Sequence, residues 1–447
     1  MLGILTRRRV ALAFCALAGA NARADAPAFQ LIRANEDWRG VADAPMWKNI
    51  PLSSDGESTV SLGGEWRLRL DTLDASRYGI GRVADTYALQ RALVHADVRI
   101  GDHVRVFAQL GREDAIGKKP PLAVSDTDRG DVQNLFVDVN LDRTTLRAGR
   151  QELMFSPLQR FVSVREGPNV RQSFDGVRAT WRGQGITVDA FATRPVVYKV
   201  GAFDDASDDT QAFSGVYASM KLGAASTLDA YVFNTQRDDV TFGNLRGDER
   251  RDSAGMRYAF AARGFDLDAE AIMQRGRQAG RDVRAWAGSI VAGYTLKSTW
   301  SPRFGLEVDA GSGDRTHDAT LGTFNPLFPK GAYFDESGLV SWANLVLVRA
   351  SVAVQPVKSV TLKASVATRR RQSADDAVYL QPYAPLPGTM ANRSRNVGSI
   401  AAFDATWRVS RWWNLSAQIA RHEAGAAVRQ AGGRDVDFAM AMAQLRF

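Results

Sequence analysis

The chain has 447 residues, with 57 lysines and arginines against 49 aspartates and glutamates and a sequence pI near 9.7. One cysteine and four histidines are too few for a disulfide framework or a cysteine-rich metal centre. Beyond the first 26 residues no apolar run approaches the roughly 18 that a spanning helix needs, so any membrane-inserted part must cross as strands.

At the N-terminus, Arg7, Arg8 and Arg9 precede the apolar run Val10 to Ala20 and the small-residue steps Ala22-Arg23-Ala24 and Ala24-Asp25-Ala26. This is the pattern of a secretory signal peptide over residues 1–24. Cleavage after Ala24 is preferred, because a cut after Ala26 places Pro27 beside the scissile bond. Cys15 lies inside the apolar run, so the expected mature chain has no cysteine, which suits an oxidising periplasm. Taking the leader's four arginines from the 57 basic residues leaves 53 against 49 acidic ones, a net charge of +4. The high pI thus belongs partly to the leader.

Residues 25–58 are polar and irregular and read as a periplasmic N-terminal lead-in. From Thr59 a period of two begins, with Val60, Leu62, Trp66, Leu68 and Leu70 on one face and Ser61, Glu65, Arg67 and Arg69 on the other. About 18 such segments follow, from 59–70 to 437–447, each near the roughly 10 residues of a tilted membrane strand. Their connections alternate. Short turns such as Gly101-Asp102-His103 and Ala262-Arg263 follow even-numbered segments, while 113–130, 153–173, 195–210, 238–251, 312–339, 372–396 and 423–436 follow odd-numbered ones.

A soluble sandwich has no reason to put its long loops at one end. The expected fold is therefore all-β, a transmembrane antiparallel barrel over residues 59–447, with short periplasmic turns and long extracellular loops. The last segment agrees: Ala439, Ala441, Ala443, Leu445 and Phe447 face one way, Gln444 and Arg446 the other. Segment 144–152 is ambiguous, since Arg147 and Arg150 differ in parity; either a bulge intervenes or one of them lies at a rim.

The stretches Gly149-Arg150-Gln151-Glu152-Leu153, Arg165-Glu166-Gly167-Pro168-Asn169-Val170-Arg171 and Phe174-Asp175-Gly176-Val177-Arg178 resemble the alginate-export family of outer-membrane porins, as do Gly322 to Tyr333 and the ending from Asp435 to Phe447. The resemblance implies a monomeric 18-stranded barrel in the bacterial outer membrane, whose arginine-lined lumen conducts an anionic polysaccharide.

Inward positions supply the candidate solute-binding cations. Arg67, Arg69, Arg91, Arg178, Arg349, Lys363, Arg369 and Arg371 are taken from the alternation, together with Arg105, Lys221, Arg257 and Arg408; Arg150, Arg165 and Arg171, with Arg178, stand in the family-like motif. Guanidinium grips a carboxylate in two-point fashion and stays charged at any relevant pH. The alternative is that these are ordinary lumen charges offset by Glu65, Asp97, Asp138, Asp266, Asp268, Glu270, Glu307, Asp309 and Asp404. Acids clustered on 264–274 and 303–311 suggest an acidic wall facing a basic one.

Loop 312–339, with Phe324, Leu327, Phe328, Tyr333 and Phe334, either folds into the lumen as a constriction or packs only on neighbouring loops; loop 153–173 has the same choice. Loop aspartates Asp204, Asp205, Asp208 and Asp209 leave a calcium site open. Neither a cofactor nor a protein metal centre is expected. His95, His103, His317 and His422 have no metal-ligand spacing, and His422 alone is placed where a rim catalytic residue would sit. The sequence-level reading is a non-enzymatic channel for an anionic polysaccharide such as alginate, the alternatives being a diffusion porin for small organic anions, a barrel enzyme or a surface adhesin. Expected partners are outer-membrane lipid, lipopolysaccharide and the outer-membrane assembly machinery, and no nucleic acid.

Overall fold

Backbone polar groups in hydrocarbon must be satisfied within the protein, which for strands requires a sheet without edges. A computed structural model, describing residues 29–41, 43–81, 84–242, 245–316 and 318–447, shows this solution. The expected leader, with Cys15, and His317 lie outside the described residues.

Eighteen long strands follow one another around the barrel. They are β1 (Thr59–Leu73), β2 (Asp85–Ile100), β3 (Val104–Ile116), β4 (Asp128–Leu141), β5 (Thr144–Gln151), β6 (Phe174–Gly183), β7 (Ile186–Val197), β8 (Gln211–Lys221) and β9 (Ser226–Phe242) in the first half. The second half holds β10 (Leu245–Ala262), β11 (Phe265–Gln278), β12 (Arg281–Thr295), β13 (Arg303–Gly311), β14 (Leu345–Val357), β15 (Val360–Arg370), β16 (Asn396–Arg408), β17 (Trp413–Ala424) and β18 (Val436–Arg446). Each is antiparallel to the next, and β18 closes on β1 from Leu73↔Phe438 to Glu65↔Arg446. Gly64 and Phe447 exchange backbone hydrogen bonds of 2.9 and 3.0 Å just below this seam.

The alternation sorts side chains by solvent. On β11, Phe265 and Met273 face outward, while Asp266, Asp268, Glu270 and Gln274 point in. Trp181, Tyr258, Tyr294, Phe304 and Trp413 are exposed near the short-turn ends, forming the aromatic belt expected at a membrane interface. Pairing of β5 with β4 and β6 is unbroken. No bulge intervenes: Arg147 faces inward against Asp138 at 2.7 Å, and Arg150 lies on the outward parity at the extracellular rim.

Two expected loop boundaries are corrected. Residues 238–251 are not one long loop, because β9 and β10 stay paired to Phe242↔Leu245 past a bulge between Arg237 and Val240. The outward face here (Arg246, Asp248, Arg250) is exposed while the inward face buries Phe242 and the ion-paired Glu249 and Arg251, so the ladder persists although charge occurs at both parities. Conversely, β14 starts at Leu345 rather than at residue 340. Leu339, Val340, Trp342 and Ala343 are buried, but inside the barrel instead of against lipid.

The largest apolar cluster lies within the barrel. Phe191, Phe213, Phe233 and Ile272 from the walls meet Phe155, Phe161, Phe324 and Trp342 from the connections after β5 and β13. Both loops fold inward. A smaller cluster joins Ile32 of the lead-in to Phe107, Phe136 and Val164.

Candidate permeation pathway

The β5–β6 loop is fixed to the β1–β3 wall through residues 166–169. Arg67 donates to the carbonyl of Glu166 at 2.7 Å, to that of Pro168 at 3.0 Å and to Asn169 Oδ1 at 3.2 Å. Asn169 is fully buried, and its amide reaches the carbonyls of Gln90, Asp114 and Asp126 at 3.0 to 3.1 Å. The Glu166 carboxylate contacts Arg91, with Arg67 at 3.5 Å and Arg171 at 3.6 Å. Burial opposes its ionisation, yet Arg91, Arg171 and Arg67 together hold its pKa below the usual carboxylate range.

The same loop reaches the opposite wall. Arg160, buried, donates to Asp268 at 2.7 Å and Glu270 at 2.9 Å on β11 and to Tyr333 Oη at 3.0 Å. Its neighbours pair with the β13–β14 loop: Ser163 N–H donates to Phe328 O at 2.9 Å and Phe328 N–H to Phe161 O at 3.0 Å. That second loop is tied to β11 through Gln274 and Asn325 at 2.8 and 3.0 Å, to β14 through Arg349 and Phe334 O at 2.6 Å, and to β1 through Arg69 and Glu336 at 2.6 Å. The two loops therefore cross the lumen as one hydrogen-bonded partition.

Most candidate cations have a carboxylate. Arg69 pairs with Asp71 at 2.9 Å, Arg91 with Glu65 at 2.6 Å, Arg171 with Glu152 at 2.8 Å, Arg178 with Asp189 at 2.7 Å and Arg349 with Glu307 at 3.0 Å. Arg150 pairs at the rim with Asp175 at 2.8 Å. Arg371 is a loop staple, donating to the carbonyls of Ser394, Asp376 and Thr389 at 2.8 Å. Arg369, buried, contacts the Tyr78 hydroxyl.

The expected opposition of basic and acidic walls is not met. Asp266 and Asp268 are matched by Arg303 and Arg257 at 2.5 Å each, and Arg160 completes the set from the loop. Carboxylates inside a confined lumen recruit nearby guanidiniums, so charges pair within each wall.

Four of the fifteen candidates differ: Lys221 and Arg408 are exposed at strand ends beside short turns and, like Arg165 and Lys363, have no hydrogen-bond or ion-pair partner for the side chain among the described residues. Arg165 and Lys363 are half-buried. Arg165 sits in the partition with a positive φ of 55°, beside the fixed residues 166–169. Burial lowers its pKa, opposed only by the nearby Tyr198 and Tyr383. Lys363 faces inward on β15, across from Asp404.

Arg160 and Asn169 were not singled out by the alternation, since both lie in a connection. The available signal was that Arg160 is the lone charged residue from Phe155 to Val164, a stretch that also holds Phe155, Leu158, Phe161, Val162 and Val164. His422 points inward and is fully buried, with Asp335 its nearest carboxylate at 3.9 Å. Of the loop aspartates, Asp204 and Asp205 converge with Asp131, their ligand oxygens within 4.8 Å of one another, whereas Asp208 binds Thr210 and Gln211.

A closed 18-stranded barrel with lipid-suited outer residues, a charged interior and an internal partition defines an outer-membrane channel protein. The profile of the family described as alginate export matches residues 58–442, and the chain belongs to that family. By sequence alone no curated protein matches significantly. Among solved structures, OccK9 (OpdG) of Pseudomonas aeruginosa shares 15% identity with a TM-score of 0.60, covering 87% of this chain and 98% of its own. OpdK of the same organism, solved with vanillate, shares 11% at a TM-score of 0.59, covering 86% and 98%. OccK2 (OpdF) of P. aeruginosa, in complex with glucuronate, shares 11% at 0.56, covering 87% and 98%. At these identities the likeness is one of fold.

Proposed function

We propose that this barrel is a passive, non-enzymatic conduit for carboxylate-bearing solutes, with Arg165 as the principal contact at the partition and Lys363 as a second on the wall below. The observation that carries this reading is the absence of a carboxylate partner for Arg165, where the neighbouring Arg67, Arg91 and Arg171 are all engaged. A permeating anion exchanges its hydration for a cation already stripped of competitors, and one weak, unshared site lets it leave again.

The crossed loops favour solutes of monosaccharide size. OpdK and OccK2 were solved with vanillate and glucuronate, both carboxylates, which is consistent with this chemistry. Family membership supports a second reading, export of an anionic polysaccharide such as alginate; that route requires the partition to move aside. Proteoliposome uptake separates the two. Entry of glucuronate with exclusion of a uronate tetramer supports the small-anion reading, equal passage of both supports the polymer route, and passage of neutral sugars in preference to either removes the anionic reading.

A further inference from the structure

The outward face of β14–β17 carries a furrow. Small Ala350, Ala364 and Ala401 lie between the larger Val352, Phe403 and Ile419 and open a groove of about 960 Å³. A second hollow of about 550 Å³ lies towards the extracellular rim, lined by Thr368, Arg370, Asn396, Ser399 and Glu423. The two are adjacent along the strands, because Val366 and Thr368, Ala401 and Ser399, and Arg421 and Glu423 are successive outward positions paired across β15–β17. At the rim the register slips between Arg369 and Arg370 opposite Gly398. Gly398 has φ 124°, and a Cβ there would lie 1.8 Å from the Glu423 carbonyl, so only glycine allows this local widening.

Chemistry changes with depth. Arg370 and Arg395 are exposed at the top, and neither guanidinium has a partner among the described residues. They belong to one corner of the rim, since Arg371 N–H donates to Arg395 O at 2.8 Å. One step down, Ser399 Oγ donates to Glu423 at 2.8 Å, with Thr368 across the ladder. Below these Arg421, ion-paired with Asp437 at 3.0 Å, borders the groove on one side at the level of Ala401, and its remaining outward-facing lining is apolar.

We propose that this furrow binds lipid A, the acylated and phosphorylated saccharide of outer-leaflet lipopolysaccharide. Unpaired arginines suit its phosphate, the Thr368, Ser399 and Glu423 band suits sugar hydroxyls and amides, and the alanine-lined groove accepts an acyl chain. A glycerophospholipid offers a phosphate and chains without the saccharide that the middle band addresses.

Native mass spectrometry of the purified mature protein, incubated in detergent with lipid A, dephosphorylated lipid A or phosphatidylglycerol, tests the assignment. Lipid A is expected to be retained best. R370Q/R395Q should retain it about tenfold less, the loss expected for charge-assisted hydrogen bonds, and A401W, which fills the groove, should also weaken it. R275Q/R284Q, an exposed arginine pair on the β11–β12 face, should not, and each variant is first checked for compact migration before boiling. Equal retention of dephosphorylated lipid A or phosphatidylglycerol, an unaffected R370Q/R395Q, or an equal loss in R275Q/R284Q would overturn the proposal.

Discussion

Arg160 and Arg165 lie five residues apart in one loop and have opposite roles in charge balance. Arg160 neutralises Asp268 and Glu270 in a buried setting. Removing one partner of such a set costs roughly 3–5 kcal/mol, because the remaining charges stay desolvated. R160A should therefore release the partition, read as rapid proteolysis within residues 152–173 and noisier single-channel current. Arg165 has no partner to abandon, so R165Q should leave protease resistance unchanged. A third residue answers to pH. Burial, with Asp128 and Asp131 nearby, raises the Asp205 carboxyl from 3.8 to about 7. The folded loop holds a proton that the released loop gives up, so its stability is fully present below the unfolded value and is lost as pH rises through the folded one. Hydrogen exchange in 198–210, corrected for intrinsic rate, should be slower at pH 5 than at pH 8, and D205N should remove most of the difference.

At the scale of elements, the closing seam is the most exacting piece. Val436–Arg446 must find Thr59–Leu73 across almost the whole chain, and Phe447 extends that pairing through Gly64. Deleting Phe447 is expected to lower the amount of protein inserted in the outer membrane without lowering synthesis or secretion, measured by fractionation and immunoblot; normal outer-membrane levels would count against the seam's importance. Strands such as Phe265–Gln278 were legible because lipid outside and polar groups inside impose a strict period of two. The signal failed where one of those environments changed. Within 238–251 the outward face is charged and exposed while the inward face buries the ion-paired Glu249 and Arg251, so charge appears at either parity, and Leu339 to Ala343 are apolar for a core inside the barrel that alternation cannot distinguish from lipid. The inward arginines were legible as positions, but their carboxylate partners in the loops, Glu166 and Glu336, were not. A loop has no period that tells where it will cross.

For the whole molecule, the interior is a nearly balanced lattice of ion pairs in which a few cations are left over. On the function proposed above, selectivity arises from Arg165 and Lys363 rather than from a basic wall, and it is sensitive to screening, whose length falls from about 10 Å at 0.1 M salt to about 3 Å at 1 M. The paired arginines contribute little to it, because each is offset within a few ångströms. The measurement that tests this most directly is the single-channel reversal potential across a salt gradient in planar bilayers, for the unmodified protein, R165Q/K363Q and the paired-site variant R178Q/D189N. Anion preference at low salt, weakened at high salt, reduced in R165Q/K363Q and retained in R178Q/D189N, is the predicted result. Cation selectivity of the unmodified channel at low salt would contradict the account.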